Sequence, residues 1–448
     1  MPHDPTAEFA VAVVGSGPAG FYSTIALLAL PEPTVRIDMY ERLPTPWGLV
    51  RAGVAPDHPK IKSIAALFAR TATHERFRFF GKVEVGTDVS AAELLERYDA
   101  VVYCVGAPAD RELGVPGEDL PGVVAARDFV GWYNGHPDFP DRTFDLSVRH
   151  AVVVGNGNVA LDVARILVTP PGRLAATDIA NHALDALRGS MIREVTIIGR
   201  RGPAQATFTT PELRELGELT GATVLVDPAQ LESVDDAELP HVPRHNLEVL
   251  REYARASSPN GGRRVRLRFW TSPIEIRGDG HVASIVVGRN ELGPGGRAVD
   301  TGGREVVPAG LVLRAVGYRG VPVPGLPFDA TAGIIPNRDG RVAGSEREYV
   351  AGWIKRGPTG IIGTNKKDAT DTVHTLAEDL AAGSRPSRAT AAGAVEEWLR
   401  GRQPDLVDLA GWAAIDAAEK AAGQPLGRPR VKLCTWDDLL SAARAVRV

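Results

Sequence analysis

Cysteine is nearly absent: 448 residues contain two, Cys104 and Cys434, far apart and in no CxxC pair. That spacing excludes a disulfide framework, a thiolate metal centre and a dithiol redox centre. No apolar run reaches membrane-spanning length. The acidic, proline-containing start MPHDPTAEF lacks the basic segment and apolar stretch of a secretory signal, so a cytoplasmic location is expected. A formal net charge of -4 gives no general attraction for nucleic acid and leaves only local basic patches to recruit an acidic partner. Lysine is scarce, eight of 51 basic residues, an arginine bias that fits a GC-rich genome and says nothing about function. Hydrophobic residues at 44% and charged residues at 24% are ordinary globular values, which argues against disordered and fibrous classes.

What is present is length and a repeated pattern. A chain of 448 residues exceeds one ordinary core and predicts two domains, one interrupting the other. FAVAVVGSG (9–17) and HAVVVGNGN (150–158) begin nucleotide-type units, while AVVYCVGAP (100–108) and LVLRAVGY (311–318) each read as a strand emptying into a loop. Continuous β-branched runs suit strands buried on both faces of a parallel sheet, so the expectation is a doubly wound α/β chain with two Rossmann-like units. Cys104, inside one of these runs, reads as a buried structural thiol. Glycine and proline clusters at 106–122 and 317–329 mark the crossings. They divide the chain into a first domain over 1–108, an inserted domain over 109–324, and the first domain resumed over 325–448 with a helical C-terminus. The polar stretch 289–306 reads as hairpin turns or surface loops.

In VAVVGSGPAGFYSTIALLAL, Gly15, Gly17 and Gly20 have the GxGxxG spacing between a strand and a helical run. The first glycine permits the tight turn, the second lets phosphate approach the backbone, and the third lets helix and strand pack closely. The next strand, VRIDMYE, ends in Glu41, 21 residues after Gly20, where a carboxylate accepts from a ribose diol. VVVGNGNVALDVARIL repeats the pattern with Gly155, Gly157 and Ala160, but its following strand, REVTIIGRR, ends in Arg200 and Arg201. An acid there repels a ribose 2′-phosphate, whereas guanidinium groups bind it bidentately, so the second site is expected to prefer NADP over NAD. An acid-terminated site followed by an arginine-terminated one predicts FAD first and NADPH second, with nicotinamide C4 passing hydride to flavin N5.

Four longer motifs, ERLPTPWGLVRAGVAPDHPKIK (41–62), GNGNVALDVARILVTPP (155–171), IIGRRGPAQATFTTPELREL (197–216) and AGWIKRGPTGIIGTNKKDA (351–369), together resemble the adrenodoxin reductase family and its bacterial counterparts over essentially the whole chain. The resemblance implies an FAD-dependent NADPH-ferredoxin oxidoreductase that passes electrons singly to an iron–sulfur protein. It implies FAD contacts at Gly15, Gly17, Ala19, Gly20, Glu41, Leu49, Val85, Trp353, Gly360, Ile361 and Ile362. It implies NADP contacts at Arg111, Asn156, Gly157, Asn158, Val159, Arg200, Arg201, Glu212 and Gly360. His58 and Glu212 are its candidates for a proton path. By their own sequence context the two read as a loop histidine and a first-turn acid of a helix. A helix opening near Gly360 would turn its positive end toward the flavin.

In HNLEVLREYARA, Arg251 and Arg255 stand four residues apart, on one face if helical, where they would steer an acidic ferredoxin-type protein. A solvated helix balanced by Glu248 and Glu252 remains open as the reading of the same residues. No metal site, no nucleic-acid partner and no assembly beyond a monomer or weak dimer are expected. An NADPH diaphorase or oxidase, an electron-donating module like the glutamate synthase small subunit, a flavin monooxygenase and an NADPH-sensing flavoprotein stay as alternatives. A disulfide reductase is disfavoured by the missing cysteine pair.

Overall fold

The structure, a computed structural model, describes residues 8–232, 234, 239–255, 262–360, 362–382 and 390–445. Two parallel sheets organise it. In the first, Glu348–Val350, Ala100–Tyr103, Phe9–Val14, Val35–Glu41 and Phe77–Gly81 lie side by side in that order, all parallel. A short antiparallel pair, Asn337–Arg338 and Arg341–Val342, closes one edge. Every residue of Phe9–Val14 is buried, as a continuous apolar run between two covered faces requires. One face packs under helices Pro18–Leu28, Thr364–Ala382 and Leu409–Gly423, and the other under Ala391-capped helix Ala392–Arg402.

The second sheet orders Val123–Ala125, Leu311–Arg314, His150–Val154, Glu194–Ile198, Arg263–Arg268 and Ala222–Val226, again all parallel. Helices that include Asn158–Val168, Thr210–Gly217 and His241–Arg255 cover one face. A three-stranded antiparallel sheet, Thr271–Gly278, Val282–Leu292 and Ala298–Pro308, covers part of the other. The stretch 289–306 contains a hairpin turn at Pro294–Gly296, as one of the two expected readings had it, but the rest is mostly strand rather than surface loop. Its second half lies on the outer strand Ala298–Pro308, whose residues are nearly all exposed, so burial leaves no alternation to read there.

The chain crosses between the sheets at Ala109–Asp110 and Tyr318–Arg319, and these two links pair with each other antiparallel. A third tie comes from the C-terminus: Arg428 donates to Thr177 O at 3.0 Å, to Asn181 Oδ1 at 2.6 Å and to Ile179 O. Beside it Asp178 accepts from Lys62 at 2.6 and 2.8 Å and sits 3.1 Å from Lys432 Nζ. One residue from each of three separate chain segments thus meets in a largely buried site holding two ammonium groups and one carboxylate. Burial, with Lys432 as a like-charged neighbour, lowers the Lys62 ammonium to about 7, while the two lysines outweigh burial and hold the Asp178 carboxyl down at about 2.

Removing the shared carboxylate is expected to cost far more than removing one lysine. Asp178→Asn leaves two buried ammonium groups without a counter-charge, a loss of about 3–5 kcal/mol in urea unfolding, whereas Lys62→Met leaves a one-to-one pair and less than half that loss. Between about pH 7 and 10.5 folded Lys62 holds fewer protons than the unfolded chain, so its contribution favours the folded state increasingly as pH rises through that window. The stability gap between wild type and Lys62→Met should therefore shift in favour of wild type from pH 6 to pH 9. A gap independent of pH would contradict the charge assignment.

Candidate functional site

Each sheet carries the same device at its carboxyl edge. Gly15 has φ +101°, and a Cβ there would stand 2.6 Å from Cys104 O on the neighbouring strand end. Gly155 has φ +125°, and a Cβ there would collide with Ala315 O. Only glycine fits a turn pressed this closely on a carbonyl. Helices Pro18–Leu28 and Asn158–Val168 follow, N-capped by Gly17 and Gly157 with no side-chain cap on either. Their first N–H groups lack intrahelical partners, and a Cβ at Gly17 would meet nothing within 4 Å. Open space in front of uncapped N–H groups and a positive helix end fits a pyrophosphate.

Glu41 closes the first unit as the last residue of its strand. Its Oε2 accepts from Ser16 N at 3.0 Å and Ser16 Oγ at 2.6 Å, and its Oε1 from Leu43 N at 3.0 Å. A carboxylate has about four lone-pair sites, so it is held in place by the glycine turn with capacity left for a ribose hydroxyl. Leu49 opens the short helix Leu49–Ala52 and is exposed, while Gly48 packs directly onto Gly17. Val85 pairs with Val89 and packs against the core of the first unit. Ala19 and Gly20 are buried in the first helix turn.

The returning C-terminal segment supplies Trp353, whose ring stacks on Tyr318 at 5.7 Å and whose buried Nε1 has no hydrogen-bond partner among the described residues. An orphaned indole donor beside the first glycine turn's sheet fits a cofactor acceptor. Gly360 has φ +81° and Ile362 packs against the core, but the helix itself starts at Thr364, four residues after Gly360. Ile361 lies outside the described residues.

In the second unit the strand ends at Ile198, so Arg200 and Arg201 stand just beyond it rather than at its last residue. Neither guanidinium has a hydrogen-bond or carboxylate partner among the described residues; only their carbonyls are used, by Asn290 Nδ2 at 2.8 Å and Trp270 N at 3.0 Å. Asn156, Gly157, Asn158 and Val159 form the turn and first helix residues, with Asn158 Oδ1 accepting from Thr209 N at 2.8 Å. Arg111 is exposed in the first crossing link and donates to Tyr318 O at 3.3 Å. Arg251 and Arg255 fall on the last turn-and-a-half of helix His241–Arg255.

His58 and Glu212 come together with four residues that sequence reasoning did not single out. His58 is 7% exposed, its Nε2 is 2.5 Å from Glu215 Oε2 and its Nδ1 4.0 Å from Asp162 Oδ1. Arg165 binds Asp57 bidentately at 2.7 and 2.9 Å and lies 2.9 Å from Asp162 and 3.6 Å from Glu215. Glu212, in the first turn of Thr210–Gly217, keeps a buried Oε2 with no hydrogen-bond partner among the described residues. Burial first, then the charges of Asp162 and Glu215, raise the Glu212 carboxyl. Burial also raises Asp162, whereas at Asp57 the Arg165 hydrogen bond and charge outweigh burial and lower it. A signal was present: Asp162 and Arg165 are the two charges in a helix that is otherwise apolar nearly all round, NVALDVARILV.

The NADPH-ferredoxin reductase FprA of Mycobacterium leprae is 58% identical over 443 residues, covering 96% of this chain and 97% of that one. This chain belongs to the adrenodoxin-type NADPH-ferredoxin reductase family. The mitochondrial NADPH:adrenodoxin oxidoreductase of Arabidopsis thaliana is 43% identical over 459 residues, covering 97% and 95%. The solved structure of Mycobacterium tuberculosis FprA in complex with NADPH superposes with a TM-score of 0.95 at 56% identity, covering 98% of this chain and all of that one. The family profile described as pyridine nucleotide-disulphide oxidoreductase matches residues 9–216. For a reductase of this family the polar cluster joins the two nucleotide units: His58 and Asp57 come from the first, and the rest from the second.

In the nucleotide-free protein a carboxyl raised on folding binds more protons than its unfolded counterpart, so stability falls as pH rises through the window above the ordinary value of 4.5. Glu212→Gln removes that fall. The variant is expected to gain on wild type between pH 4.5 and pH 7 in urea unfolding, and a constant difference would show that Glu212 ionises freely.

Proposed function

We propose that this chain is an FAD-dependent reductase that takes electrons from NADPH and delivers them one at a time to an acidic ferredoxin-type iron–sulfur protein. The observation that carries the reading is the contrast between two otherwise equivalent turns. One is closed by a carboxylate and the other is followed by two guanidinium groups without a partner among the described residues. Bound FAD supplies the conversion from two-electron to one-electron chemistry. The chain's own residues hold, orient and shield.

In this reading Gly15, Gly17, Ala19 and Gly20 hold the FAD pyrophosphate, and Glu41 its ribose. Leu49, Val85, Trp353, Gly360 and Ile362 line the rest of that site, with Ile361 assigned by resemblance alone. Asn156 to Val159 take the NADP pyrophosphate, Arg200 and Arg201 the 2′-phosphate, and Arg111, Glu212 and Gly360 line its path. His58, hydrogen-bonded to Glu215, and the carboxyls of Glu212 and Asp162, which act on each other through charge, line a polar wall between the units that can exchange protons. Residues 1–108 with 325–448 form the FAD domain and 109–324 the NADP domain. Arg251 and Arg255, on one helical face of the second unit, would steer an acidic partner. Two free thiols, one buried with its pKa pushed up to about 12 by desolvation, favour a cytoplasmic location, and a monomer or weak dimer suffices for the reaction.

The deciding assay is cytochrome c reduction with NADPH or NADH, with and without added ferredoxin. Strong ferredoxin dependence with NADPH preferred supports the reading, and ferredoxin-independent turnover moves it toward a diaphorase. Replacing Arg200 and Arg201 by alanine is expected to raise the NADPH KM roughly 100-fold, since a charge-assisted bond contributes about 1.5–3 kcal/mol, while NADH kinetics stay unchanged. Replacing Arg251 and Arg255 is expected to raise the ferredoxin KM several-fold and spare dye reduction. Equal losses in both assays would remove the docking role.

A further inference from the structure

Two arginines on a loop, unpaired among the described residues, recognise a phosphate well only if the loop itself is held, because each flexible side chain otherwise spends binding energy on ordering. The loop here begins one residue after the strand Glu194–Ile198, where the parallel ladder ends. The carbonyls of both arginines are held from outside the nucleotide fold. Trp270, immediately before strand Thr271–Gly278, has φ +56°, an uncommon conformation for a bulky residue, and its N–H donates to Arg201 O at 3.0 Å. Its ring lies over Gly202, where a Cβ would run into the indole.

Asn290 completes the brace. It is 6% exposed, on strand Val282–Leu292, beside an irregularity in that strand's pairing with Ala298–Pro308. Its N–H donates to Trp270 O at 2.7 Å, fixing the residue that holds Arg201. Its side-chain amide donates to Arg200 O at 2.8 Å and to Ser272 Oγ at 2.6 Å. One buried side chain therefore uses both amide hydrogens, one on the arginine loop and one on the sheet that carries it.

Resting on the assignment of Arg200 and Arg201 to the 2′-phosphate, we propose that Asn290 is a positioning residue for NADPH selectivity, acting through the backbone carbonyl of Arg200. On this account the antiparallel sheet is a brace that presents the two guanidinium groups in a preset orientation. Asn290 touches no nucleotide itself.

The test is Asn290→Leu, which keeps side-chain shape and removes both donors. Calorimetry with 2′,5′-ADP and 5′-ADP separates recognition of the 2′-phosphate from the rest of the site. Affinity for 2′,5′-ADP is expected to fall about ten-fold with 5′-ADP unchanged, and the NADPH KM to rise by a similar factor at constant kcat. Equal losses for both nucleotides, or none, overturn the proposal. The Arg200 and Arg201 alanine variant is run alongside: if it keeps full 2′,5′-ADP affinity, the arginine assignment itself fails, whereas its loss with Asn290→Leu unaffected refutes the brace alone. Should Asn290→Leu not fold, Ser272→Ala frees the amide from one anchor and is expected to weaken 2′,5′-ADP about three-fold, and an unchanged affinity overturns the proposal equally.

Discussion

A backbone N–H at the start of a helix has no partner within the helix, and here two helix starts, each behind a glycine turn, carry no side-chain cap among the described residues. The rest of the molecule follows from serving that pair. Each glycine turn is pressed onto a carbonyl of the adjacent strand end, Cys104 in one unit and Ala315 in the other, so that no side chain obstructs the helix end. The strands that supply those carbonyls arrive late in each unit, which is why both sheets are completed by crossovers rather than by neighbours in sequence.

Bringing two anion sites together needs the two sheets held at one separation, and the ties between them include backbone pairing and charged pairs. Two crossing links pair with each other, Asp57 grips Arg165, and Asp178 gathers lysines from both ends of the sequence. Such contacts are directional and fail if either unit shifts, whereas an apolar interface tolerates sliding. The arrangement places His58 and Glu212 within one polar cluster, although 154 residues separate them in the chain.

Much of the doubly wound fold was legible because its signals are local. A buried parallel strand must be apolar throughout, and a pyrophosphate turn must carry glycine at set intervals, so both units, their order and the contrast between Glu41 and Arg200 with Arg201 could be read directly. The outer strand at 298–308 was misread for the opposite reason: with almost no buried residue it has no periodicity. Helices after residue 364 were anticipated, but the start at Thr364 rather than Gly360 depended on a positive φ that sequence does not display.

The sequence by itself determined which groups exist to bind nucleotides, since glycine spacing and the sign of charge at a strand end are chemistry carried by short segments. Only the tertiary structure decided which charges meet. Asp57 with Arg165, His58 with Glu215, and Asn290 under the arginine loop are contacts between segments 90 to 157 residues apart. Long-range pairing of this kind arises from how two sheets pack, and packing is a property of the whole chain rather than of any window in it.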